Sequence, residues 1–188
     1  MILPDFSHAD FAPKGKSNSG MDLPIRLEDQ IIQLKGRVRA WVIEDGQAPV
    51  LAHEKNNLIV QGARKALANL IAEAPAPYIV SSMHWGTAGH QGQDILTPVP
   101  PTINDVQLNV DAFQKSIQSF TYLPTPPNET SVQFNCTMEK IEGNGSGVVA
   151  YTEAGLFCTN GIMFARETFP AIVKNSARKV IFEWVILF

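Results

Sequence analysis

The sequence predicts a mainly β fold with one packed helix: a β-sandwich or partly closed barrel plus an extended N-terminal arm. Two observations predict it. Several short segments alternate apolar and polar side chains and are separated by turns rich in Gly and Pro, as in the strands of sandwiches and barrels. Only one segment has convincing helical periodicity.

The clearest predicted strand is residues 179–188. Period-two alternation is typical of a strand, and here one face is wholly apolar. Terminal residues are usually frayed and polar, so a large apolar residue at position 188 favours a sheet position or an interface, and Phe188 is a candidate interaction residue. The apolar face consists of Val180, Phe182, Trp184, Ile186 and Phe188.

Length and composition limit the classes of protein. The 188 residues fit one β-rich domain, residues 35–188, preceded by an arm, residues 1–34. The chain is 45% hydrophobic and 18% charged, with a formal net charge of −3, which favours a packed core and argues against nucleic acid or a membrane as partner. No stretch approaches the ~18 apolar residues of a transmembrane helix, and no signal peptide is evident, so we expect synthesis in a cytoplasm.

The N-terminal segment, residues 1–34, contains Pro, Gly, Ser and Asp with scattered large hydrophobic residues and no periodicity. It has two interpretations. One is a disordered tail; the other is an extended arm that docks on a neighbouring molecule and becomes ordered there. The second interpretation makes Phe6 and Phe11 candidate interaction residues.

The domain is predicted to begin with a hairpin and then the helix. Residues 37–43 form one strand, Asp45-Gly46 is a strong turn dipeptide, and residues 50–53 begin the return strand. Residues 61–73 form the helix, and the Ala-Pro-Ala-Pro sequence that follows ends it. The apolar stripe of the helix, at helical spacing, consists of Ala63, Ala66, Leu67, Leu70 and Ile71.

The middle of the chain is predicted to hold a strand and a long loop. Residues 78–83 are the strand, and residues 84–89 leave it as a Gly-rich loop. Residues 86–105 contain three glycines and three prolines and form a long loop, which in a compact domain often carries contacts. Residues 106–115 are predicted as a short helix.

The rest of the domain is predicted to be strands, with a hairpin turn at Thr159-Asn160-Gly161. Both cysteines, Cys136 and Cys158, fall on these strands. We expect buried free thiols, and a disulfide stays an alternative. The predicted strands are residues 116–123, 131–140, 148–157, 162–168 and 179–188.

No complete catalytic or cofactor motif is found. Phosphate-binding glycine motifs and the nucleophile elbow are absent from the sequence. His84, His90 and Asp94 share one loop, but zinc sites need three or four ligands in a set geometry, and this spacing matches no known signature. We therefore predict that the protein is not an enzyme and uses no metal or cofactor.

Two further residues have predicted roles. Glu153 could point inward on its strand, and since buried carboxylates are almost always paired, we predict a structural ion pair with Arg166 on the adjoining hairpin strand. Trp41 and Trp184 fit strand patterns and are predicted core residues. Trp85, beside the Gly-rich loop, is the candidate for a surface contact, such as a sugar platform, and His90 is a further interaction candidate on this loop.

The C-terminal third carries the pattern E-A-G-L-F … F-A-R-x-T-F-P … F-E-W at residues 153–157, 164–170 and 182–184. Together with the Gly-Thr-Ala-Gly loop at residues 86–89, this resembles structural proteins of tailed-bacteriophage virions, of the tail, baseplate and tail-fibre-attachment type. The resemblance covers roughly residues 35–188 and leaves the N-terminal arm outside it.

The resemblance implies a non-enzymatic building block that assembles as a ring or multimer in the virion. Its partners would be copies of itself and other virion structural proteins. Two alternatives stay open: a neck, collar or head-surface protein, and a carbohydrate-binding module for host attachment that contacts a host glycan through Trp85.

Overall fold

The fold is built on one large sheet. The protein is described by a computed structural model over residues 34–72, 76–125 and 129–188. One helix, α1 (Gln61–Ala72), and a short 3-10 turn (Ala76–Tyr78) accompany the strands. The strands are β1 (Lys35–Glu44), β2 (Val50–Ile59), β3 (Val80–Gly86), β4 (His90–Gln91), β5 (Asp94–Pro98), β6 (Asp111–Ser116), β7 (Ser119–Thr125), β8 (Glu129–Met138), β9 (Val148–Cys158), β10 (Met163–Asn175) and β11 (Arg178–Leu187).

Nine of these strands form a sheet that curls into a half-barrel, in the order β6-β3-β9-β10-β2-β1-β11-β8-β7. All of its neighbouring strands are antiparallel, and β4 and β5 form a separate hairpin. The predicted fold class, mainly β with one packed helix, is confirmed.

The half-barrel is only partly closed. Its two end strands, β6 and β7, are consecutive in the chain, so the ends of the sheet meet at residues 117–118. There the Ile117 N–H donates to the Ser81 carbonyl at 2.9 Å and the Gln118 N–H donates to the Asn135 carbonyl at 3.1 Å. In the middle of the strand order, β2 and β10 pair through only two residue pairs. The two strands separate beyond these pairs, so the sheet has a gap there.

The core fills the inner face of the curl. The predicted alternation of the C-terminal strand is confirmed, because Val180, Phe182, Trp184 and Ile186 are buried. The Phe182 ring lies 5.4 Å from Trp85 and 5.9 Å from Phe169, centroid to centroid. These aromatic contacts join β11 to β3 and β10 across the inside of the sheet.

Both cysteines are buried free thiols, as predicted. Burial raises the pKa of Cys136 and that of Cys158 to about 11. Each thiol is therefore protonated at neutral pH and packs as a small apolar group.

The predicted helix is confirmed within one residue of its C-terminal end. It packs on β10 through small side chains, since Ala63 and Ala66 are fully buried. Ile71 was expected on the same apolar stripe but is exposed. The buried stripe of this helix is therefore narrower than the sequence suggests.

Two predictions are wrong in the middle of the chain. Residues 106–115 are not a helix, because residues 111–116 form β6 and Phe113 pairs with Trp85 of β3. The strand β3 runs on to Gly86, so Trp85 lies in the sheet and is completely buried. It cannot serve as a surface contact. The predicted N-terminal arm, with Phe6 and Phe11, lies outside the described residues except for Leu34.

Candidate functional site

A buried ion network joins the sheet to the loop that covers it. Glu153, on β9, has no exposed surface, and one of its oxygens, Oε2, lies 2.6 Å from Arg166 Nη2 on β10. This confirms the predicted ion pair. The other terminal nitrogen of Arg166 lies 2.6 Å from Asp105 Oδ2, a partner that the sequence did not indicate.

The strand register explains how Glu153 and Arg166 meet. Arg166 lies opposite Gly155, and Glu153 lies opposite Thr168, one step along the same face of the hairpin. The guanidinium of Arg166 therefore reaches the carboxylate diagonally, and the space beside Gly155 is filled instead by the Phe157 ring, which a Cβ atom on Gly155 would approach to 2.9 Å. Glu153 lies two residues before Gly155, the residue opposite Arg166. Glu153 and Arg166 therefore form a diagonal cross-strand pair.

Glu153 also holds both ends of the covering segment, residues 86–110, here called the outer loop. Its carboxylate accepts backbone N–H bonds from Ala88 at 3.4 Å, Asn109 at 3.1 Å and Val110 at 3.1 Å. The Asn109 side chain in turn donates to the Ala88 carbonyl at 2.7 Å. One buried carboxylate thus fixes the start and the end of the outer loop to each other and to the sheet.

Two glycines of the Gly-Thr-Ala-Gly sequence are required by this close approach. A Cβ atom on Gly86 would lie 2.6 Å from Glu153 Oε1, and one on Gly89 would lie 2.5 Å from the Thr152 carbonyl oxygen. Real Cβ atoms do not approach other heavy atoms so closely, so any larger residue would push the loop off the carboxylate.

Asp105 forms the second attachment of the outer loop. Its carboxylate accepts bonds from the Thr102 N–H at 2.9 Å and the Thr102 hydroxyl at 2.6 Å, besides the contact to Arg166. Burial alone would raise the pKa of Asp105, but the bonds from Thr102 and Arg166 outweigh it and hold the pKa below its ordinary value. The carboxylate is therefore ionised at neutral pH and partners Arg166 as a charge.

The arrangement is suited to holding structure rather than to catalysis. Both Glu153 oxygens are occupied by the bonds described above, and the carboxylate is shielded from solvent. A general acid or base must reach a substrate proton, directly or through one water. The network instead satisfies a buried charge with a cation and three backbone donors.

The outer loop presents apolar side chains to solvent. Leu96 is 66% exposed and Val106 is 75% exposed, although the loop is attached at Glu153 and Asp105. The Thr168 hydroxyl adds a third attachment by donating to the Val99 carbonyl at 2.8 Å. The exposed large hydrophobic residues of the outer loop are Ile95, Leu96, Val99, Ile103, Val106 and Val110.

A serine, a histidine and an aspartate line up on the outer face of β3 and β6. His84 Nδ1 lies 2.6 Å from Asp111 Oδ2, and His84 Nε2 lies 3.0 Å from Ser82 Oγ. This is the order of groups in a catalytic triad. However, acyl transfer also needs oxyanion donors and a cleft, and none of the three residues lines the groove beside Arg178 or the groove beside Tyr122.

The remaining predicted site residues are spread over the molecule. His84 is bound to Asp111, His90 lies half-buried on β4, and Asp94 accepts hydrogen bonds from Leu96 and Thr97. The described part of the chain contains no group of three or more His, Cys, Asp or Glu side chains placed to hold a metal ion. Within the same residues, no helix is long and apolar enough to cross a membrane.

Sequence reasoning missed a buried carboxylate on the inner face of the sheet. Glu167 lies 3.3 Å from Lys55 Nζ and 3.7 Å from His53 Nε2, measured from Oε1. The side chain of His53 is almost buried, and that of the next residue, Glu54, pairs with Arg39. The strand β2 therefore contributes a polar contact at the seam where it separates from β10.

Sequence reasoning also missed a buried lysine. Lys174 has no exposed surface, and its ammonium donates to the Lys140 carbonyl, the Asn144 side chain and the Asn175 carbonyl. Burial lowers its pKa. A lysine on a strand normally indicates a solvated face, so nothing local in the sequence signals this contact.

We expect Glu153→Gln to destabilise the protein by about 3 kcal/mol, because it removes one of the two carboxylates that lie 2.6 Å from the buried Arg166 guanidinium and leaves Asp105 as the other. The free energy of unfolding in urea measures this. Glu54→Gln, which removes an exposed charge paired with Arg39, is the control and should change stability little. Equal losses in the two variants would contradict the structural role of Glu153.

Asp105 gives the protein a defined acid sensitivity. Its folded-state pKa lies below its unfolded value of 3.8, so its contribution to stability is complete above that pH and is lost as the pH falls through the folded pKa. We expect Asp105→Asn to be less stable than the wild type at pH 7 and to lose less stability between pH 7 and about pH 3. Urea midpoints at the two pH values test this, and equal acid-induced losses in both proteins would refute it.

Comparisons with protein-family models, with curated proteins and with solved structures gave no match.

Proposed function

We propose that this protein is a non-enzymatic structural component of a tailed-phage virion that assembles as a multimer in the tail, baseplate or fibre-attachment region. It would be made in the cytoplasm of the host bacterium. Its partners would be copies of itself and other virion structural proteins. The observation that carries the proposal is the outer loop, which is tightly attached and yet exposes apolar side chains.

The outer loop is held in place by the sheet and yet exposes apolar side chains. Monomeric proteins rarely expose a large contiguous apolar patch, and such patches mark contact sites; the outer loop carries six exposed large hydrophobic residues between Ile95 and Val110. Here the loop is attached to the sheet by Glu153, Asp105 and Thr168. A surface fixed in advance loses less conformational entropy when it binds, which suits repeated contacts between identical subunits.

The buried ion network also supports a structural role over an enzymatic one. Glu153 and Arg166, two residues of the pattern that carries the resemblance, hold the outer loop. Trp85, the residue that favoured a carbohydrate-binding module, is part of the core. The Ser82–His84–Asp111 cluster lies outside the groove beside Arg178 and the groove beside Tyr122, and the His84 ring stacks on Phe157 at 4.1 Å.

We predict that the protein is incorporated into phage particles and that the outer loop is needed for this. The variant Leu96→Ser/Val106→Ser replaces two exposed side chains, so it should fold as the wild type does but enter purified particles at a much lower level. Quantitative mass spectrometry of particles made by cells that supply each variant would measure incorporation.

The matched control is Ile141→Ser. Ile141 is 89% exposed and lies outside the outer loop, so its replacement removes exposed apolar surface elsewhere. It should leave incorporation unchanged. Absence of the wild-type protein from particles would contradict the proposed function, and equal incorporation of all three proteins would contradict the role of the outer loop.

A further inference from the structure

A second apolar surface lies between the sheet and the helix. It is a groove of about 230 Å³, here called the aromatic groove. One wall comes from β7, β8 and the C-terminus, and the other comes from α1 and the 3-10 turn. Its principal lining residues are Leu67, Tyr78, Phe120, Tyr122, Phe134 and Phe188.

The aromatic groove exposes residues that occupy core-facing positions. Phe120 lies opposite Phe134, and Tyr122 lies opposite Val132, in the register of β7 and β8. Phe134 packs against the core, so Phe120 and Tyr122 are on the core-facing side of the sheet. Yet Phe120 is 59% exposed and Tyr122 is 66% exposed.

The strand that carries these two residues is also an edge. β7 is the last strand of the sheet and pairs only with β8 among the described residues. An open edge presents free N–H and C=O groups, and an added strand from another chain can bind to them. The alternate side chains of an added strand would then lie over the aromatic groove.

The chain itself supplies a segment with suitable chemistry. Residues 1–33 precede the described domain and have no sustained periodicity, but Met21, Leu23 and Ile25 stand at alternate positions, with Pro24, which has no backbone N–H, before Ile25. Alternate positions are the spacing by which an added strand fills a groove. β1 begins at Lys35, directly opposite Leu187. The neighbours of Leu187, Ile186 and Phe188, line the aromatic groove, so the described chain begins, at Leu34, near the rim of that groove.

The length of this segment allows contact with another subunit. Residues 26–33 connect Ile25 to Leu34, and these eight residues can span at most about 30 Å, which is about twice the radius of gyration of about 15 Å of a domain of about 155 residues. A segment that leaves one domain can therefore reach the groove of an adjacent copy.

We propose that the aromatic groove binds residues 21–25 of a neighbouring copy, which add as a strand to the free edge of β7. Met21, Leu23 and Ile25 cover Phe120 and Tyr122, and each subunit thereby supplies a segment to the next. This inference rests on the proposed function in one respect, the assembly of the protein from its own copies, and it names the contact that joins them.

The test uses the full chain and two variants that each disable one side of the contact. Tyr122→Glu places a charge in the groove, and Leu23→Glu places a charge in the segment. By light scattering after gel filtration, the wild type should form a multimer of the 20.6 kDa chain, and each variant should be a monomer. Ile141→Glu is the control and should keep the wild-type mass, since Ile141 is exposed and does not line the groove.

Mixing the two variants distinguishes a contact between copies from one within a chain. Leu23→Glu keeps an intact groove and Tyr122→Glu keeps an intact segment, so an equal mixture should form a species of two chains. If both variants keep the wild-type mass, or if their mixture stays monomeric, the proposal is overturned. A monomeric wild type also overturns it. Particle incorporation is measured separately, so the proposed function can stand or fall on its own.

A cross-linking variant covers the case in which a charged variant fails to fold. Leu23→Cys combined with Tyr122→Cys should form disulfides between chains on mild oxidation, seen as dimers and larger species on a non-reducing gel. Cys136 and Cys158 are buried and should not contribute. Cross-links confined to single chains would overturn the proposal.

Discussion

The structure depends on one constraint, the need to satisfy the carboxylate of Glu153 inside the protein. Removing a carboxylate from water costs several kcal/mol unless a cation and hydrogen-bond donors surround it. Arg166 supplies the cation from the next strand. The remaining donors are backbone N–H groups of the outer loop, so burial of this one charge requires the loop to fold down onto the sheet.

Several features of the sequence follow from that constraint. Gly86 and Gly89 let the loop backbone approach the carboxylate, and Arg166 reaches it diagonally from the next strand. Asp105 then partners the other side of Arg166 and orders the middle of the loop through Thr102. Residues that are far apart in the sequence, near positions 87, 105, 153 and 166, thus form one unit.

This unit provides a physical basis for the proposed assembly role. The network fixes the outer loop on the outer face of β9 and β10, while the aromatic groove lies between α1 and the β7–β8 end of the sheet. The two apolar surfaces are built from different elements. A subunit with two separate contact surfaces can bind more than one neighbour, which a ring or another multimer requires.

Local patterns in the sequence were sufficient for much of the fold. Alternation identified β8 and β11, helical spacing identified α1, and Asp45-Gly46 identified the first hairpin. The Glu153–Arg166 pair could be predicted because the two residues lie on consecutive strands of one hairpin. In each case, the information lies within a short stretch of chain.

The errors arose where distant partners decide the structure. Val106, Val110 and Phe113 have helical spacing, but pairing of Phe113 with Trp85 makes residues 111–116 a strand. Trp85 follows a short strand pattern beside glycines that suggest a loop, and only the position of β9 and the core shows that it is buried. The role of Asp105 and the aromatic groove likewise depend on contacts between segments that no local pattern links.

Hydrogen exchange of individual amides tests the central claim most directly. The amides of Ala88, Asn109 and Val110 donate to Glu153, so the account predicts that in Glu153→Gln they exchange faster, by about tenfold or more. The amides of β8 and β11 should keep their protection, because β2 and β1 separate these strands from β9 and β10 in the order of the sheet. Unchanged exchange at the three loop amides would contradict the account, since it would show that the outer loop is held by something other than the buried charge.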